Sequence, residues 1–222
     1  MAIPLANGFA MLTATIEEPR VGRWVASITA TVEEGFSMGD PGDTITLDFE
    51  DGLVEYEGTI IRGDVFGGKY EGLLVGGKGG LSTVIDAKAY IGVPMAIVLA
   101  DLMSLTGETL EGTTDESVTG FTVAHWQRTS GQAQNALDAI REATGADWRI
   151  FRAGTLWFGS DTFPTLNFEH EHLDEENSFG ERLVSPKSGA PELRPGVTFD
   201  SERVQYVTTK LTPSALTQTY LV

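Results

Sequence analysis

Alternation of apolar and polar residues dominates the first third of the chain. It runs from Met11 to Val32 with a break near Pro19, and it resumes from Thr44 to Phe49. A period of two places the apolar side chains on one face of a half-buried antiparallel strand. Further strand-like runs occupy 58–65, 70–75 and 81–90. Together these segments predict about six short strands within residues 1–90, enough to close a small barrel or sandwich.

The pattern changes to a helical period twice. From Pro94 to Leu105 the apolar residues recur at i, i+3, i+4 and i+7, and Gly107 follows as a C-terminal stop. Pro94 is tolerated in a first turn, where its missing N–H would have no partner in any case. This spacing predicts a short helix that connects the first β unit to the rest of the chain.

A second helix is predicted over 131–144. Its apolar stripe consists of Ala133, Ala136, Leu137 and Ile140. Thr129 or Ser130 is the candidate N-cap, and Gly145 ends the helix. Apolar residues at 148–151 and 156–158 then flank a Gly-containing turn, which predicts a β-hairpin over the helix stripe.

The remaining segments complete a mainly β (α+β) organisation. Residues 169–196 are acidic and irregular and are predicted to form a surface loop, whereas 197–199, 204–211 and 216–222 have strand character. We therefore predict a first β-barrel over 1–90, a helical connector and linker over 91–119, and a second β unit over 120–222. The second unit contains one helix, the acidic surface loop 169–196 and the closing strands.

Charge and composition exclude several classes of function. The chain of 222 residues carries 15 Lys and Arg against 32 Asp and Glu, a formal charge of -17. Such a surface repels phosphate backbones and anionic membranes. The absence of cysteine removes disulfides and thiolate chemistry. No stretch approaches the roughly 18 apolar residues of a membrane span, and the N-terminus lacks a signal-peptide pattern. We expect a soluble protein without stable membrane insertion.

The second half of the chain contains a series of distinctive segments: Trp126 and Arg128 before Gly131, the 133–140 helix, Gly145, Trp148-Arg149, the run Gly154-Thr155-Leu156-Trp157-Phe158-Gly159, the closing segment 193–200, Val204 and 211–213. In these segments the chain resembles the phage baseplate hub and late control D family. The first half matches this family only in its general order of strands.

The resemblance implies a fold with two small tube-type antiparallel β-barrel or sandwich units and two short helices. It implies a homotrimeric ring that joins the six-fold tail tube to the three-fold central spike and contacts other baseplate subunits. The protein would be a non-enzymatic structural part of the virion tail baseplate, synthesised in the host cytoplasm, with DNA only as passing cargo in its channel. The acidic charge agrees with such a channel, and equally with a need for solubility before assembly.

Two other functions stay open from the sequence. The first is a carbohydrate- or receptor-binding β module at a tail tip, suggested by the four tryptophans Trp24, Trp126, Trp148 and Trp157. The second is a peptidoglycan hydrolase with a carboxylate pair such as Asp48 and Glu50, or Glu55 and Glu57. Core packing is the favoured role of the tryptophans, and a solvent-facing strand surface is the favoured role of the carboxylates.

Three short motifs suggest chemistry, but each has a simpler interpretation. Gly72 to Gly79 approaches a phosphate-binding loop, yet it has Gly79 in place of the Ser or Thr that binds Mg²⁺ and no following helix. Ser130 lacks a nucleophile elbow and suits a helix cap. His170 and His172 would share one side of a strand and suggest a metal site, but the third histidine, His125, is distant in sequence. A solvated acidic loop is favoured there, so no catalytic, cofactor-binding or metal residues are assigned.

Overall fold

The computed structural model describes residues 3–33, 38–49, 52–173 and 181–222. Its strands are β1 (Leu5–Ala6), β2 (Phe9–Pro19), β3 (Val25–Thr31), β4 (Thr44–Phe49), β5 (Val54–Phe66), β6 (Lys69–Gly76), β7 (Val84–Ile85), β8 (Lys88–Pro94), β9 (Thr122–Arg128), β10 (Gly131–Gln132), β11 (Asp147–Ile150), β12 (Leu156–Gly159), β13 (His170–His172), β14 (Arg182–Pro186), β15 (Thr198–Phe199), β16 (Glu202–Arg203), β17 (Tyr206–Thr212) and β18 (Ala215–Leu221). The helices are α1 (Met95–Thr106), α2 (Glu116–Thr119) and α3 (Ala133–Thr144), with a 3₁₀ turn at Gly80–Ser82. The predicted mainly β fold is confirmed.

Six strands close an antiparallel barrel. Their order is β1-β4-β5-β6-β3-β2, and β1 pairs with β2 to complete the ring. The alternation predicted for Thr44–Phe49 is confirmed, because Ile45, Leu47 and Phe49 all point inward and are fully buried. Trp24, which precedes β3, also lies in this core. Closure leaves fewer unpaired strand edges than an open sheet of the same size would expose.

The barrel sheet continues into a second set of strands, here called the outer sheet, with the order β17-β18-β14-β13. Strand β2 joins the two parts: its residues Phe9 and Ala10 pair with β1, whereas Ala14 to Pro19 pair with β17. The predicted second β unit is therefore an extension of the first sheet. This is possible because β2 has 11 residues, more than β1 can cover. The outer sheet has its own small core, which includes Val184, Phe199, Val207 and Tyr220.

The helices and the predicted hairpin form a layer beside the barrel. Gly107 and Gly145 end α1 and α3 in the left-handed conformation, as predicted. All four residues of the predicted α3 stripe are buried. Trp148 faces Phe158 in the β11–β12 hairpin. The predicted N-cap of α3 is wrong: Gln132 takes that place without a side-chain cap, because Gly131 and Gln132 pair with β7.

Several segments differ from the sequence-based prediction. Residues 170–172 and 182–186, assigned to a surface loop, form β13 and β14, while 174–180 lie outside the described residues. The strand predicted over 81–90 is divided between the 3₁₀ turn, β7 and β8. The linker contains the additional helix α2. Strands β8 and β9 pair across the connector, and the domain limits at 90 and 119 stay a prediction.

Within the described ranges, no helix is long and apolar enough to cross a membrane. The longer helices, α1 and α3, have 12 residues each. About 20 predominantly apolar residues are needed to span the hydrocarbon core as a helix.

Candidate functional site

The distal half of the β5–β6 hairpin carries exposed apolar side chains. We call residues 61–71 the hairpin arm. Pairing between β4 and β5 ends at Thr44 and Thr59, so along 61–66 the outer side of β5 has no neighbouring strand among the described residues. Gly67 and Gly68 turn the chain with positive φ angles of 58° and 74°. Phe66 at the tip is 89 % exposed. The hairpin arm therefore combines a strand edge that is available for pairing with an exposed apolar side chain.

A second exposed ribbon consists of β8 and β9, which pair only with each other in the described part of the chain. Asp101 of α1 fixes its position: the carboxylate accepts hydrogen bonds from Lys88 at 2.6 Å and Arg128 at 3.1 Å, and also from the Tyr90 hydroxyl. Burial alone would raise the pKa of Asp101, but these hydrogen bonds and positive charges outweigh it, so the pKa is lowered. Ile91 on this ribbon is exposed.

The solvent face of β2, β3, β5 and β6 is a concave, polar surface. It lies opposite the barrel interior and, besides backbone and apolar atoms, its lining includes Thr13, Thr15, Ser27, Thr29, Arg62, Asp64 and Glu71. Hydroxyl and carboxylate side chains predominate, and Arg62 is the single basic residue of this lining. The surface has no positive cluster that would hold a phosphate backbone.

Positive charges elsewhere in the molecule are largely neutralised by internal partners. At least eight of the 15 basic residues form ion pairs within the described ranges: Arg20, Lys78, Lys88, Arg128, Arg141, Arg149, Arg152 and Arg182. These ion pairs leave the net charge of -17 unchanged. Nucleic-acid binding through a basic surface, which the sequence analysis excluded, receives no support from this arrangement.

Arg152 connects the barrel, the hairpin and the closing segment. Its guanidinium donates to both carboxylate oxygens of Glu18 at 2.8 and 2.7 Å, and to the carbonyl oxygens of Pro191 and Leu193, both at 2.6 Å. The group also lies 4.9 Å from the centre of the Tyr56 ring. Burial alone would lower the pKa of Arg152, but the negative charge of Glu18 outweighs this effect and raises it. This cluster leaves no signal in the sequence, because Glu18 and Arg152 are 134 positions apart.

The glycine-rich segment 72–79 does not form a phosphate site. Gly72 to Gly76 belong to β6, and the backbone N–H groups of Lys78 and Gly80 donate to the carboxylate of Glu108 at 2.8 and 3.1 Å. An internal carboxylate thus occupies the place that an anion would take. Burial raises the pKa of Glu108 despite these hydrogen bonds. The glycines of this motif thus serve the end of strand β6 and the turn that follows it.

Replacing Glu108 by alanine is expected to lower the free energy of unfolding by about 2 kcal/mol, because the partly buried backbone N–H groups of Lys78 and Gly80 lose their acceptor. Urea denaturation followed by tryptophan fluorescence measures this difference. Glu142, an exposed carboxylate on α3, provides the control as Glu142→Ala. Equal stabilities of the two variants would contradict the structural role of Glu108.

The other candidate residues are dispersed. Asp48 accepts the Gly52 N–H in a turn, its predicted companion Glu50 lies outside the described residues, and Glu57 pairs with Lys78. Ser130 precedes β10 and does not cap α3.

Trp24, Trp148 and Trp157 are buried, and each indole N–H donates to an internal oxygen, while Trp126 is partly buried against Tyr90. Core packing of the tryptophans is thus confirmed over sugar stacking for three of the four.

The structure brings His170 and His172 together but leaves His125 on β9, outside their cluster. The Nε2 atoms of His170 and His172 are 3.1 Å apart, and the third member is Asp200, with Oδ2 3.3 Å from His172 Nε2. The period-two spacing predicted that the two histidines share a face. Asp200 gave no signal in the sequence, because it comes from the turn between β15 and β16.

No known family profile matches the sequence, and no curated protein sequence is significantly similar to it. The fold, in contrast, is similar to those of solved tail proteins. The 43 kDa tail protein of prophage MuSo2 from Shewanella oneidensis superimposes with a TM-score of 0.68 at 8% identity, over 98% of this chain and 96% of that one. A tail protein from Neisseria meningitidis gives 0.66 at 12% identity, over 98% and 95%.

A third similar structure belongs to a secretion machine. It is an E. coli component of the type VI secretion system, described as structurally similar to the bacteriophage T4 tail proteins gp27 and gp5. It gives a TM-score of 0.69 at 10% identity, over 99% of this chain and 76% of that one. At these identities the similarity establishes the fold, which this chain shares with phage tail proteins and a related secretion component.

Proposed function

We propose that the protein is a non-enzymatic structural subunit of a phage tail, and that it forms the baseplate hub as a homotrimeric ring. The observation that carries this proposal is the closed barrel continued into an outer sheet, a fold shared with tail proteins over nearly the whole chain. The ring joins the six-fold tail tube to the three-fold spike. Each subunit contributes the closed barrel and the open outer sheet that continues from it.

The exposed edges supply the contacts that such a ring needs. The hairpin arm has an unpaired edge and the apolar residues Ile61, Val65 and Phe66. Addition of a neighbour's strand to this edge would satisfy its backbone N–H and C=O groups and cover the apolar side chains. We therefore assign the hairpin arm to the subunit interface of the ring.

The concave polar surface is suited to the inner wall of the ring. Arg62 is the single basic residue of its lining, and the carboxylates of Asp64 and Glu71 repel phosphate. DNA then passes as cargo without binding. This surface would face the channel, and the protein would lie in the virion tail with the tube and spike proteins as its partners.

Light scattering of the purified protein tests the trimer directly. We expect a mass three times that of the 23.9 kDa chain for the protein alone, or the mass of three chains plus the bound partner after addition of the tube or spike protein. Replacing Phe66 by aspartate should convert the trimer into monomers, because a charge would be buried at the strand edge. The matched control is Ile97→Asp on the exposed face of α1, which should leave the mass unchanged.

A monomer at all concentrations that also fails to bind the tube and spike proteins would contradict the hub proposal. A trimer that survives in Phe66→Asp would retain the hub and remove the hairpin arm from its interface.

A further inference from the structure

A cluster of three metal-binding side chains lies at the free end of the outer sheet. Strand β13 is the last strand of this sheet, and its alternation places His170 and His172 on one face with Glu171 between them. The turn between β15 and β16 brings Asp200 to the same place. Asp200 and Ser201 turn the chain with φ angles of 49° and 67°, the pattern of a tight hairpin turn.

We propose that His170, His172 and Asp200 bind one transition-metal ion of the zinc class. The proposal does not depend on the hub function. Its first support is distance: the two Nε2 atoms are 3.1 Å apart, and His172 Nε2 is 3.3 Å from Asp200 Oδ2. A tetrahedral Zn²⁺ with bonds of about 2.0–2.1 Å separates neighbouring ligand atoms by about 3.3 Å. The three ligand atoms all lie within 4.8 Å of one another.

The second support is the tautomer of His170. Its Nδ1 is 2.9 Å from the carbonyl oxygen of Phe168, which can only accept a hydrogen bond. Nδ1 therefore carries the proton, and Nε2 presents a lone pair towards His172 and Asp200. A backbone carbonyl that accepts from the second ring nitrogen is the usual partner of a metal-bound histidine, because it fixes both tautomer and ring orientation.

Aromatic packing holds the His170 ring before any ion binds. The ring lies 5.1 Å from the centre of Phe168 and 4.9 Å from that of Phe199. Phe199 in turn contacts Tyr220 of β18, which links this arrangement to the core of the outer sheet. A ligand restrained in this way loses little side-chain entropy on binding.

The ligand chemistry selects the class of metal. Two imidazoles with one carboxylate suit Zn²⁺, Fe²⁺, Co²⁺ and Ni²⁺, whereas Mg²⁺ and Ca²⁺ require oxygen ligands. Arg182, the nearby cation, is engaged by Glu202 at 2.8 Å. The side chains of His172 and Asp200 are 56% and 33% exposed, so an ion can enter from solvent and a water molecule can complete its coordination.

The consequence of binding would be structural. Strand β13 has three residues, and among the described residues β14 is its single neighbouring strand, so few backbone hydrogen bonds hold it in place. An ion bound by both histidines and Asp200 would link β13 to the β15–β16 turn. It would thereby stabilise the last strand of the outer sheet. Metal binding would then raise the stability of this edge by mass action.

Calorimetric titration with ZnCl₂ of tag-free protein, first dialysed against EDTA, tests the proposal. We expect one equivalent of Zn²⁺ to bind, with an affinity lowered on the order of 100-fold in His172→Ala, because one of three ligands is lost. Titration with CoCl₂ gives a second readout, since a tetrahedral site produces visible absorption bands. His125→Ala, which removes the histidine outside the cluster, should bind as the native protein does.

Far-UV circular dichroism establishes that His172→Ala, a change at an exposed edge, is folded. Absence of stoichiometric Zn²⁺ binding to the native protein would overturn the proposal and leave a hydrogen-bonded histidine pair. Equal affinity in the native protein and His172→Ala, or loss of binding in His125→Ala, would also overturn it.

Discussion

Replacing Arg152 by alanine is expected to lower the free energy of unfolding by about 3 kcal/mol. The carboxylate of Glu18, which is 5% exposed, would lose both hydrogen bonds to the guanidinium and keep its charge in the interior. The carbonyl groups of Pro191 and Leu193 would each lose the guanidinium as a donor, while Leu193 would keep its hydrogen bond from the Gln218 amide. Urea denaturation with native and variant protein measures the difference.

Two further variants separate charge from packing. The double substitution Glu18→Gln with Arg152→Met removes both charges and should recover part of the lost stability, since no unpaired ion remains. Arg62→Ala, at an exposed arginine of the concave surface, is the control and should change stability by less than about 0.5 kcal/mol. If Arg152→Ala were as stable as Arg62→Ala, the contacts of Arg152 with Glu18 and the closing segment would not contribute to stability.

Replacing Gly80 by alanine is expected to cost about 3 kcal/mol through a steric clash. A Cβ at this position would stand 1.8 Å from the carbonyl oxygen of Thr106, the last residue of α1, whereas real Cβ atoms essentially never approach a neighbour within 3.0 Å. The Cβ is fixed to the backbone of residue 80, and the atom it would meet belongs to the backbone of Thr106. Neither can therefore move away as the end of a flexible side chain would. Thermal unfolding should show a clear fall in the midpoint.

Gly112→Ala is the matched control for this substitution. A Cβ at Gly112 would meet nothing within 4 Å, and the residue has no positive φ angle. We expect its stability to equal that of the native protein or to exceed it slightly, because alanine restricts the unfolded chain. Similar losses of stability in both variants would show that the effect of Gly80→Ala does not come from the close contact between the 3₁₀ turn and α1.

The sequence predicted the elements whose patterns are local. The strand at 44–49 and the stripe of α3 follow from a regular period, and both are confirmed. Strand β14 was missed because only Val184 and Pro186 of its five residues are buried, and its structure depends on pairing with β18. Such long-range pairing leaves no mark in a short window of sequence.

The candidate sites divide in the same way. The spacing of His170 and His172 indicated a shared face, but Asp200 joins them only through the fold. Glu108 could not be connected to the glycine-rich segment either, because its contacts with Lys78 and Gly80 span 30 and 28 residues. Residues that act together through tertiary structure need the fold before their roles can be recognised.

Strand β2 has a mechanical consequence. One uninterrupted backbone belongs both to the wall of the barrel and to the ladder of the outer sheet. The two parts cannot swing about a flexible connector without breaking the hydrogen bonds of that strand. A force that acts on the outer sheet is therefore carried along the backbone of β2 into the barrel, through the irregularity between Met11 and Thr13 that separates the two pairing regions.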